Sequence, residues 1–267
     1  MKVLVISDPH LGHPGWNGFG EILMRKAQVL AKDQHPTVAL CVGDLVEPRG
    51  KVHLNVGLEL FRSIPATFHL WVAGNNDIEW LRDQDQPVNE YADLLDKMAR
   101  PYGVILLDHE PVIIDQFAFV GNFGYYDLSL WKPSSFHAPQ YPSTLESVRT
   151  SVEEWHSQEL GISMTDLFKM CQGTLRRHLE KTMGKKLVIA THMVPTPEMV
   201  LYGSSAAYDY QNAWMGWNDE LSERPLHATP GLVLQLCGHT HRSQRIDRYS
   251  APLINASGNE QPLIFDL

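Results

Sequence analysis

Short runs of apolar and β-branched residues recur along this chain, with stretches of helical character between the early ones. That is the pattern of a layered α/β domain rather than a helical bundle or an all-β sandwich. Strands are expected at 2–7, 37–42, 67–72, 112–114, 117–120 and 186–190, with shorter ones at 232–237, 243–246, 252–254 and 262–265. Ile22, Leu23, Ala27 and Leu30 share one face of a helix expected over 21–32. The last sixty residues read as strands and turns only, an asymmetry that suits two stacked sheets.

The stretch from about 125 to 185 reads as a helical insertion. Ser143 precedes Glu146 by three and Ser163 precedes Asp166 by three, both capping-box spacings, and Gly161 and Gly184 sit where helices end. Leu145, Val148, Val152 and Trp155 follow the helical repeat in the first inserted helix, as do Leu167, Cys171, Leu175 and Leu179 in the second, and both sets read as packing faces. At 267 residues, 43% hydrophobic and 20% charged, the chain can bury one sizeable core. No linker, repeat or low-complexity tract divides it, so a single domain over 1–267 is expected.

The formal charge of −9 disfavours broad binding to a polyanion, although a local basic groove stays open as an alternative. The first strand-like run begins at Val3, leaving no room for a signal peptide, and no apolar run nears the roughly 20 residues that span a bilayer. Cys41, Cys171 and Cys237 form neither a CxxC pair nor an even set, which argues against a disulfide framework. A cytoplasmic protein with no membrane partner is expected.

The polar residues that carry chemistry stand just after the expected strands, where an α/β sheet presents its carboxyl edge to ligands. The first strand runs into Asp8-Pro9-His10, with Asp8 and His10 expected to point to one side by strand alternation; the next two run into Gly43-Asp44 and Gly74-Asn75-Asn76-Asp77. The strand at 186–190 runs into Thr191-His192, and that at 232–237 into Gly238-His239-Thr240-His241. Two carboxylates, one amide and four imidazoles are too many for one tetrahedral zinc. The mixture of nitrogen and hard oxygen suits manganese, iron or zinc, with manganese preferred. Seven ligands imply two divalent ions sharing a carboxylate about 3.5–4 Å apart, the spacing that clamps an in-line displacement at phosphorus.

The ordered blocks DPH, GDL, GNND, THM and GHTH, spanning Asp8 to His241, resemble those of the calcineurin-like metallophosphoesterases. The resemblance implies a four-layer α-β-β-α sandwich of two mixed sheets. It implies that Asp8, His10 and His241 bind one cation, that Asp44 bridges, and that Asn75, His192 and His239 bind the other. A hydroxide held between the cations would then attack phosphorus. It also implies catalytic positions at Asn76 and Asp77.

At Asn76 the chain departs from the family, most members of which carry a proton-donating histidine oriented by the following aspartate. Asparagine can donate a hydrogen bond but cannot deliver a proton at neutral pH. A phosphodiesterase acting on a nucleotide, cyclic nucleotide or nucleic-acid diester is therefore expected over a phosphomonoesterase. A non-catalytic interaction module on the same fold is the rival from another class. His13 and His53 are candidate substitute acids. Gly124-Tyr125-Tyr126-Asp127 resembles a GWYD-like stretch of a branch with a capping region. Tyr125, Tyr126 and Arg242 are candidate substrate contacts, and Trp131, His137, Tyr202, Tyr208, Tyr210, Trp214 and Trp217 could complete an aromatic lid. The alternative is that these aromatics pack the insertion onto the main domain.

Overall fold

The computed structural model describes residues 1–136, 138–247 and 250–267. The first half runs β1 (Lys2–Ile6), α1 (Phe19–Gln34), β2 (Val38–Val42), α2 (Leu54–Arg62), β3 (Phe68–Val72), α3 (Asn75–Asp83), α4 (Tyr91–Ala99), β4 (Val104–Leu106), β5 (Val112–Ile114) and β6 (Phe117–Asn122). Then come α5 (Leu145–Trp155), α6 (Met164–Lys181), β7 (Lys186–Thr191), α7 (Ala206–Gln211), β8 (Leu232–Cys237), β9 (Gln244–Ile246), β10 (Leu253–Asn255) and β11 (Leu263–Asp266).

Parallel β1 to β4, with β11 antiparallel beside β1, form a five-stranded sheet ordered β11-β1-β2-β3-β4. The six-stranded sheet is ordered β5-β6-β7-β8-β10-β9; its β6, β7, β8 and β10 are parallel and its two edge strands antiparallel. Strand alternation sorts the core. Val3, Val5, Leu40 and Val72 pack with Phe119, Val188 and Leu236 between the sheets, while Leu4, Ile6, Cys41 and Trp71 turn to the helices. Both faces of the central strands are buried, so they read as continuous apolar runs without polar alternation. The result is two mixed sheets face to face with helices on their outer faces.

Three local expectations give way. β4 lies outside the expected strands: it has only three residues, and pairing with His69, Leu70 and Trp71 of β3 makes it a strand. The first inserted helix is capped by Thr144 rather than Ser143: Thr144 Oγ1 accepts from the Ser147 amide at 3.2 Å, and Leu145, on the first turn, is exposed. The last sixty residues include part of α7 and short 3₁₀ turns at Asp219–Leu221 and Leu226–Ala228, all too brief to show a helical period. Ser163 does cap α6, accepting from the Asp166 amide at 3.0 Å. No helix among the described residues is long and apolar enough to cross a membrane. The cysteines are buried free thiols.

Candidate metal centre

The loops that leave β1, β2 and β8 turn sharply as soon as the ladder ends. Asp8, His10, Asp44, His239 and His241 all have left-handed backbones, with φ of 52°, 42°, 51°, 70° and 51°. Such a conformation costs a non-glycine residue about 1 kcal/mol or more, and clusters of it mark functional loops. Asp8 and His10 thus converge through two kinks beyond β1, not through strand alternation as expected. Their amides donate to the carbonyls of Gly43 (3.1 Å) and Asp44 (2.9 Å), which holds the β1 and β2 loops side by side. The motif glycines have a steric reason. A Cβ on Gly43 would lie 2.1 Å from His192 Nδ1, and one on Gly74 would lie 2.1 Å from Asp44 Oδ1.

Two adjoining groups of donors result, Asp8, His10, Asp44 and His241 in one, Asp44, His192 and His239 in the other, so that Asp44 belongs to both. Asn75 Oδ1 joins the second group, 3.1 Å from His192 Nε2. Asp44 Oδ2 lies 3.5 Å from His10 Nε2 and 3.4 Å from His192 Nε2. Each carboxyl loses by burial and gains more from its neighbours: imidazoles His192 and His10 hold Asp44 well below the usual range, and His241 and His192 hold Asp8 below it. Burial presses His192 down, but Asp44 lifts it to about 10; burial and the charge of His192 hold His239 to about 4.

This donor set fits cations. His10 Nε2 and His241 Nε2 meet head to head at 3.1 Å, a contact that needs either a proton or a cation between the two nitrogens. His192 Nδ1 lies 3.0 Å from the Val42 carbonyl, which leaves Nε2 to face the group. His239 Nε2 is buried without a hydrogen-bond partner. A divalent ion would take the place of the proton on His192 and accept the unmet lone pair of His239.

A profile of the calcineurin-like phosphoesterase family matches residues 1–243. The chain belongs to that family. The phosphoesterase is similar in fold to the phosphopantetheinyl hydrolase of Mycobacterium tuberculosis, with a TM-score of 0.67 and 18% identity over 96% of this chain and 88% of that one. It is also similar to a dimetal phosphatase from Danio rerio, with a TM-score of 0.53 and 14% identity over 96% and 86%. No protein of curated function matches the sequence.

Around the phosphoesterase's donors stand Glu47, Ser7 and Trp16, which sequence reading missed, together with Asn76 and Asp77, which it named. Glu47 Oε2 lies 3.2 Å from His10 Nδ1 and accepts from Asn76 Nδ2 at 3.1 Å, so one carboxylate orients both. Asn76 Nδ2 is also 2.8 Å from His10 Nδ1, and Asn75 Nδ2 donates to Asn76 Oδ1 at 2.7 Å. Ser7 Oγ donates to Asp8 Oδ2 and, at 2.9 Å, to the Val42 carbonyl. The Trp16 ring stands 4.6 Å from that of His10 and 5.0 Å from that of His241. Asp77 is fully buried and accepts from the amides of Leu45 (3.0 Å), Val46 (3.3 Å) and Gly74 (2.9 Å). It ties the β2 and β3 loops together.

The expected substrate contacts fare unevenly. Tyr125 and Tyr126 are 2% and 3% exposed, stacked at 4.1 Å, and their hydroxyls lie 2.8 and 2.6 Å from His156 Nε2. They line a cavity beside Asn75 and His239 but offer no free ring face for a base. Trp217 is buried, Tyr208 is exposed, and Tyr202 donates to the Leu130 carbonyl at 2.6 Å. His137 lies outside the described residues. Arg242 is exposed beside His241. His53 caps α2 and packs edge-on against Trp80, while His13 accepts from the Gly15 amide at 3.0 Å, its ring 6.2 Å from that of His10.

Proposed function

We propose that this phosphoesterase is a two-cation phosphodiester hydrolase. Asn76 carries the reading: a carboxamide stands at the family's proton-donor position, bonded to Glu47 and beside His10. It can hold a phosphoryl oxygen by hydrogen bonding and has no proton to give to a leaving group. Asp8, His10, Asp44 and His241 would hold one cation, and Asp44, Asn75, His192 and His239 the other. Bound there, two divalent ions supply Lewis acidity toward a phosphoryl oxygen and an acidified water for in-line attack. The donor set suits manganese, with iron or zinc as alternatives.

In the overall reaction the oxygen of water bonds to phosphorus and one ester P–O bond breaks. The departing alkoxide takes its proton from solvent. That route is least penalised for diesters with a stabilised leaving group, because losing a positioned general acid costs about 10² to 10⁴ in rate and most for basic alkoxides. Nucleotide and cyclic-nucleotide diesters belong in a substrate panel, as does a phosphopantetheinyl ester, after the name of the mycobacterial neighbour.

Initial rates on alkyl diesters and alkyl monoesters that share one leaving group, with manganese, test the reading. Diesters are expected to turn over faster, and Asn76→His is expected to raise monoester hydrolysis by about 10² relative to diester hydrolysis. Faster cleavage of alkyl monoesters by the unaltered enzyme would overturn it.

A further inference from the structure

A different cavity borders each group of ligands. The first, of about 130 Å³, opens beside Asn75 and His239. Its floor is buried carbon from Ile78, Phe123, Leu167 and Met193. Its outer wall comes from the insertion and from the segment after β7: Trp155 and Trp214 pack edge-on at 5.3 Å, and Tyr126 packs on Trp214 at 5.4 Å. The tyrosine hydroxyls there are already bonded to each other and to His156, so the cavity presents them as carbon. The aromatics are locked against one another, which leaves no slot for a planar base.

Glu79 is the one acidic side chain lining this space. Burial raises its carboxyl to about 7 against the pull of Arg82, with Asp44, Asp83 and Glu47 adding to the rise. Arg82 is itself paired with Asp83 at 2.7 Å and Glu159 at 3.3 Å. Among the described residues no lysine or arginine lines the cavity, and away from the ligand edge its apolar walls penalise charge.

The second cavity, of about 350 Å³, borders Asp8 and His241 and is formed by Trp16, Phe19, Gly258 and Glu260. His241 is 40% exposed, and Gly258 and Glu260 are exposed, so this side runs directly into solvent. It sets no limit on the length of what passes through it.

We propose that the enzyme takes diesters with two unlike arms: a short, uncharged aliphatic arm enters the small apolar cavity by Asn75 and Trp214, and a bulky hydrophilic arm leaves past Trp16 and Glu260. This rests on the diester reading, because a monoester has one arm to place. Each methylene buried in the small cavity tightens binding about fourfold until the space is full. A terminal carboxylate there weakens binding by more than about tenfold.

The test uses the manganese-loaded enzyme and diesters that share one polyethylene-glycol arm and differ in the other: methyl to hexyl, and carboxypropyl. KM is expected to fall along the alkyl series to an optimum and to be more than tenfold higher for carboxypropyl than for butyl. Non-hydrolysable alkylphosphonate monoesters, followed by tryptophan fluorescence, are expected to bind in the same order. Trp214→Ala should move the optimum to longer chains and Leu160→Trp to shorter ones, with circular dichroism confirming the fold. Diesters hydrolysed without regard to arm length or charge would overturn this inference and leave the diester reading standing. Hydrolysis of monoesters with none of the diesters turned over would overturn both.

Discussion

Glu47 acts on His10 from behind. Its carboxylate faces Nδ1 at 3.2 Å, so Nε2 is turned toward Asp44 and His241, and the burial that would otherwise lower the His10 imidazole is overcome by Glu47, Asp44 and Asp8. Partners behind a ligating histidine typically set affinity by about 10 to 100-fold. Glu47→Gln is therefore expected to weaken manganese binding by that factor in calorimetric titration while leaving far-ultraviolet circular dichroism unchanged. Gly74 tests position rather than charge. Its φ is −110°, so alanine adds no backbone strain, yet the new Cβ would sit 2.1 Å from Asp44 Oδ1 and 2.3 Å from the Asp44 amide. Asp44 serves both donor groups, and misplacing a reacting group by about 1 Å can cost about 10²-fold. Gly74→Ala should lose at least that in kcat/KM on an aryl diester.

At the scale of elements, the insertion is docked through the segment after α5. A π-helical turn, His156–Leu160, ends at Gly161 with φ 67°. It places His156, fully buried, between the two tyrosine hydroxyls and the Ile162 carbonyl, to which Nδ1 donates at 3.2 Å. Burial lowers this imidazole to about 4. Because the folded-state value lies below the ordinary one, the stability from neutral His156 is fully present above about pH 6.5 and is lost as pH falls through about 4. Urea unfolding of metal-free protein at pH 7 and pH 4.5 should show a loss that is larger, by on the order of 2 to 3 kcal/mol, than in His156→Gln. Equal losses would remove His156 from this role.

At the scale of the molecule, the donor groups join the two sheets. Asp8, His10, Asp44 and Asn75 follow strands of the five-stranded sheet; His192, His239 and His241 follow strands of the six-stranded one. Bound cations would staple the sheets at one end and add to the packing of Val5, Leu40 and Val188 between them. Ligand at a hundred times its Kd adds about 2.7 kcal/mol. For a chain of this length that is a rise in Tm of about 5 to 10 °C. Scanning calorimetry with manganese and then with excess chelator should show this shift and its reversal, together with loss of hydrolysis. A Tm indifferent to both would mean that these side chains hold no structural cation.

The layered fold and the family were legible in the sequence because continuous apolar strands require two covered faces, and because Asp8, Asp44, Asn75, His192 and His239 each follow such a strand closely. Local rules failed where one residue mattered, as at the Thr144 cap, or where an element was too short to repeat, as in β4 and α7. Glu47 behind His10 is 37 residues away along the chain, and His156 behind Tyr125 is 31. No periodicity links such pairs. Whether the aromatics of the insertion would be an open platform or a packed wall was likewise undecided by residue type, since stacking on a ligand and stacking on one another use the same chemistry. Tertiary packing decided it, burying Tyr125 and Tyr126 and leaving a small apolar cavity beside Asn75 and His239. The order of side chains along strands sufficed for the reaction class; the shape of the space around the site is set by contacts distant in sequence.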